Sequence, residues 1–168
     1  MVAITLGQLT VWYEELAVGP ERPKLLSKLA LLELCGWLET EQDRIILKIN
    51  DLSLRDLNWT RRSVIDKTYG CDFTKHFRPM LAQFLGECVI RKLELTMDNK
   101  FPGDLEQLRS STGDLWAKRC SFAHEDTATS VRKQQRFDAP SWSLNRYQIL
   151  SKIFDRLEGE IMTIVSML

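Results

Sequence analysis

From Leu150 to Leu168, apolar residues recur every three or four positions (Leu150, Ile153, Phe154, Leu157, Ile161, Ile164, Val165, Leu168), while Lys152, Asp155, Arg156, Glu158 and Glu160 take the other positions. That periodicity predicts a long amphipathic helix, opening near Ser141 or Ser143 just after Pro140. A second long helix is expected from about Pro23 to about Ile49. Leu25, Leu29, Leu32, Cys35, Leu38, Ile45, Ile46 and Ile49 mark its buried face, and Gln42, Asp43, Arg44 and Lys48 its polar one. A third is expected from about Phe77 to Met97, with Phe77, Leu81, Phe84, Leu85, Cys88 and Leu95 in phase and Pro79 in its first turn.

Shorter helices are expected over residues 4–17 and 52–67. The run from Asp98 to Gly103 breaks the chain, and the stretch Ser111-Thr112-Gly113-Asp114 reads as a helix start, with an acid three residues after a serine. No alternation of apolar and polar residues is long enough to require a sheet. The expectation is all-α: a single domain over residues 1–168, a bundle of five or six helices without repeats.

Composition narrows the function classes. Lys+Arg and Asp+Glu are equal at 23 each, so no global field draws the chain to a polyanion, and any such partner must meet a local patch. The longest polar stretch, Glu125 to Gln135, contains Arg132 and Lys133 and is followed by Arg136. It supplies the expected RNA-binding patch. Cys35, Cys71, Cys88 and Cys120 are widely spaced and include no CxxC pair, so they read as reduced thiols, with no zinc site or disulfide framework. With neither a signal-peptide pattern nor a membrane-length apolar run, the expected location is the cytoplasm.

The chemistry concentrates in Leu115-Trp116-Ala117-Lys118-Arg119-Cys120-Ser121-Phe122-Ala123-His124, which closes a helix with an arginine and one of only two histidines. Histidine can move a proton at neutral pH and arginine can hold a phosphate, two of the parts needed to cut RNA without a metal. Five positions apart, Arg119 and His124 stand about 140° apart on a continuous helix, so the helix must end or bend between them for the two to converge. The bland alternative is a helix cap beside a salt-bridged arginine. His76 reads as a helix-opening residue, Glu14-Glu15 and Glu39-x-Glu41 as solvated acids, and the five tryptophans mainly as core or dimer packing. Cys120 lacks an orienting third group and is not expected to act as a nucleophile.

In this motif and its helical setting the chain resembles the HEPN superfamily, all-helical domains with Arg-x4-6-His at the end of a late helix, here Arg119 to His124. The resemblance implies a metal-independent endoribonuclease without a cofactor, of the prokaryotic toxin or anti-phage type. It implies a homodimer in which two Arg-His sets share a cleft, with His124 as acid or base, Arg119 stabilising phosphate charge and Ser121 auxiliary. An antitoxin or other inhibitory partner would accompany it. Cys120 stands where many members carry Asn, Asp or His, leaving Ser121 as the nearest polar substitute, and Asp126 replaces the tyrosine that some members have modified by a nucleotidyltransferase. The alternative within the same resemblance is a non-catalytic helical module that binds a partner chain or a nucleotide.

Overall fold

In the computed structural model, which describes residues 1–15, 21–53, 56–123 and 138–167, the long helix anticipated near Pro23 runs without a break as α2, Glu21–Ser53. It is preceded by α1 (Val2–Glu14) and followed by α3 (Leu57–Ser63), α4 (Arg78–Leu85), α5 (Glu87–Lys100), α6 (Asp104–Ala123) and α7 (Pro140–Val165). A 3-10 turn (Ile65–Lys67) and a π-helical turn (Phe73–Phe77) lie between α3 and α4. The described residues thus form a bundle with seven α-helices and no strand, where five or six helices were expected. Among them, no helix is long and apolar enough to cross a membrane.

α2 and α7 form the spine. Leu34, Leu38, Ile45, Ile46 and Ile49 on α2 share one core with Leu150, Ile153, Phe154, Leu157 and Ile161 on α7, as the periodicity of both helices predicts. Phe77 stacks on Phe154 at a centroid distance of 5.8 Å, joining the π-helical turn ahead of α4 to this spine. On the outer surface Arg44 and Lys48 of α2 meet Glu158 of α7, and the hydrogen bond from Arg44 is the main reason the Glu158 carboxyl is held down at about 2. α1 lays Leu6 and Leu9 on Ala30, with Leu26, Leu144 and Tyr147 around them.

Three expectations are corrected. The helix anticipated from Phe77 to Met97 is two helices, because Gly86 takes φ +80° and ends α4. The break resets the phase, so that Ile90, Leu93 and Met97 face inward from α5 while Leu95 and Cys88 are exposed. Ser111-Thr112-Gly113-Asp114 lies inside α6 and starts no helix. Thr112 there donates to the Leu108 carbonyl and accepts from the Phe73 amide, so its hydroxyl ties α6 to the π-helical turn instead of capping.

The third correction concerns the first half of α2. Leu25, Leu29 and Leu32 are 64%, 43% and 41% exposed, and the positions turned inward are Ala30, Leu31, Leu34 and Cys35. The apolar pattern of this half is wider than the core it meets, which leaves one leucine strip in solvent.

Candidate functional site

α6 delivers Arg119 to an open cleft of about 330 Å³. Its walls are Glu39, Gln42 and Asp43 of α2, Ile65 and Asp66 of the 3-10 turn, Thr68, Tyr69 and Gly70 of the following link, and Met80 of α4. The register of α2 places Glu39 and Asp43 one turn apart on the side that looks into the cleft. Gln42, buried beside them, donates to the Cys71 carbonyl at 2.9 Å and anchors the link.

The guanidinium is held from two sides. Nη1 lies 2.9 Å from Oε1 of Glu39, and Nη2 lies 3.5 Å from Oε2. Oε1 is buried, and no N–H among the described residues is aimed at it, so charge holds this pair more than a locked hydrogen-bonded fork does. From below, the Arg119 guanidinium carbon sits 5.3 Å from the centre of the Trp116 ring, a cation–π contact between residues three apart on α6.

Trp116 in turn meets the edge of His76, centroid to centroid 4.8 Å. His76 Nδ1 accepts from the Asp72 amide at 3.1 Å, which requires the neutral imidazole with its proton on Nε2. Burial, the largest influence, lowers the pKa of this histidine and favours the same form. The ring lies flat against Gly70, where φ is +138° and a Cβ would come within 2.4 Å of the imidazole. A glycine in the cleft wall is therefore what lets the histidine close in behind Trp116.

Acids dominate the electrostatics of the cleft. Glu39, Asp43 and Asp66 face one arginine, and Asp43 is pushed up to about 6, chiefly by burial and then by Glu39 and Asp66. Arg119 is thus the group that makes the cleft tolerant of an anion, and it does so best when Asp43 carries its proton. Among the described residues no group of three or more His, Cys, Asp or Glu side chains is arranged to hold a metal ion. Cys35 and Cys71 are free and buried; the neighbouring Cys35 thiol and burial raise the Cys71 pKa, which keeps that thiol protonated.

Of the residues singled out in the sequence, Arg119 lines the cleft. Ser121 belongs to the same last turn but, two positions on, stands about 200° round the helix and is not in the cleft wall. His124, Arg132, Lys133 and Arg136 lie outside the described residues. Glu39 and Glu41, expected to be solvated, are both engaged: Glu39 pairs with Arg119 and Glu41 with Arg44. His76, expected to open a helix, sits in the π-helical turn and braces Trp116. No local signal marked the Glu39–Arg119 pair, whose members are 80 residues apart, whereas Glu41 and Arg44 stand at the i, i+3 spacing that pairs opposite charges on a helix. No model of a known protein family, no characterised protein and no solved structure matches the chain.

Proposed function

We propose that the protein is a metal-independent endoribonuclease of the HEPN type, a cytoplasmic toxin or anti-phage effector that works as a homodimer. One observation carries this reading: Arg119, five residues before His124, stands at an open polar cleft with its guanidinium steadied by Glu39 and Trp116. A guanidinium has five N–H donors, and a partner that holds it by charge leaves donors for a phosphate. In the proposed reaction the RNA 2′-hydroxyl attacks the adjacent phosphorus and the 5′-oxygen leaves, giving a 2′,3′-cyclic phosphate and a free 5′-hydroxyl. His124 moves the proton and Arg119 carries the charge developing on the phosphorane. Arg132, Lys133 and Arg136 hold the RNA backbone. An antitoxin would act by covering this cleft.

Substitution tests the assignment. Arg119→Ala and His124→Ala should each lower the cleavage rate by about 10²–10⁴-fold while the protein stays folded. A variant of either residue that cuts at the wild-type rate would refute the site. A second reading, a non-catalytic module that binds a partner chain, is favoured by the exposed leucines of α2; no RNA cleavage by well-folded wild-type protein would select it.

A further inference from the structure

Leu25, Leu29, Leu32 and Gly36 follow one another at intervals of four, three and four residues, the spacing that keeps side chains on one seam when two helices pack along their length. A core-facing strip would be covered; these leucines are 41–64% exposed. The strip runs between two neighbours in its own chain. On one side Leu26 and Ala30 carry α1, and on the other Lys28 and Cys35 reach the Phe122 and Leu115 carbonyls of α6. Gly36 is open to solvent, and a Cβ added there would meet nothing, so the surface offers a second helix a close approach.

We infer that this strip is the contact surface for a second copy of the chain, packed parallel to the first about a two-fold axis so that each Leu29 meets the partner's Leu29. Three features select this occupant. The seam spacing is self-complementary, which is what an isologous contact needs. Lys28 and Glu33 flank the strip on opposite sides five residues apart, the offset at which unlike charges of two parallel helices meet across such a seam. The outward side of α1 adds exposed Ile4, Val11 and Trp12.

The same face of α2 continues, after three and then four more residues, to Glu39 and Asp43. Like charges there would splay the two helices apart, so the seam ends where the Arg119 clefts begin, and the dimer carries both clefts at the same end of the two-fold axis. The seam does not depend on the nuclease reading; only the pairing of clefts into one RNA site does.

Sedimentation of the wild-type protein without RNA at micromolar concentration should give twice the chain mass. Leu29→Glu and Leu29→Lys should each stay folded by circular dichroism and raise the dissociation constant at least about 100-fold. An equimolar mixture of the two should recover the dimer, because in a parallel pair the opposite charges face each other. Leu25→Lys, at the most exposed leucine, gives the same test should a Leu29 variant fail to fold. A monomeric wild type would overturn the inference, as would a dimer that survives both substitutions or a mixture that stays monomeric. Since no RNA is present, these outcomes are separate from success or failure of the cleavage reading.

Discussion

Asp43 has a chemistry that its sequence context does not suggest. In sequence it is one polar residue on the solvent side of an amphipathic helix; in the fold burial, Glu39 and Asp66 raise its pKa to about 6. A carboxyl whose folded value lies above its unfolded one binds its proton more tightly in the folded state. Its stabilising contribution is therefore complete below about pH 4 and is lost as pH rises through about 6. Asp43→Asn should accordingly stabilise the protein at pH 7.5, by roughly 1 kcal/mol after solvent screening of this half-exposed group, and have little effect at pH 4. Urea unfolding at the two pH values measures the difference, and an equal effect at both would disprove the assigned cause. Arg119 was singled out because arginine shortly before histidine is a local pattern, and in the fold it lines the cleft. Trp116 is its local neighbour, three residues earlier on α6, but Glu39 and His76 were not legible, since only tertiary packing brings α2, α6 and the π-helical turn together.

At the scale of elements, two glycines do different work. Gly86 ends α4 with φ +80° in open space, whereas Gly70 at φ +138° also receives the His76 ring. Gly86→Ala should cost about 1 kcal/mol, from backbone strain alone. Gly70→Ala adds a steric clash to the strain and should cost roughly 2–3 kcal/mol. Equal shifts in the urea midpoint would contradict the role given to the His76 contact. The long helices α2 and α7 were legible because their apolar period persists for many turns. The α4–α5 junction was missed because Leu81, Phe84, Leu85 and Cys88 keep helical phase across Gly86, and phase alone does not reveal a single left-handed residue. The start of α6 was placed too late for a related reason: Thr112 has the composition of a cap, but its hydroxyl is used within the core.

For the whole molecule, charge balance and topology set what can reach the cleft. The chain is neutral overall and the cleft wall is acidic, so the proposed RNA substrate would have to be recruited by positive charge outside that wall. Replacing Arg132, Lys133 and Arg136 together with alanine should weaken RNA binding and flatten its dependence on salt by about two to three counterions, with the melting temperature nearly unchanged. An unchanged salt slope would put the RNA elsewhere. The all-helical class was legible from periodicity alone. The exposed leucine strip was not, because an apolar helix face reads the same in sequence whether it meets its own core or another chain.

The central claim is that the Arg119 cleft cuts RNA by 2′-hydroxyl attack, and incubation of the purified protein with tRNA and mRNA in excess EDTA tests it most directly. Fragments ending in 2′,3′-cyclic phosphates, produced at the same rate with and without EDTA by wild type but not by Arg119→Ala, are the predicted result. Intact RNA in EDTA, or equal cutting by Arg119→Ala, would contradict it.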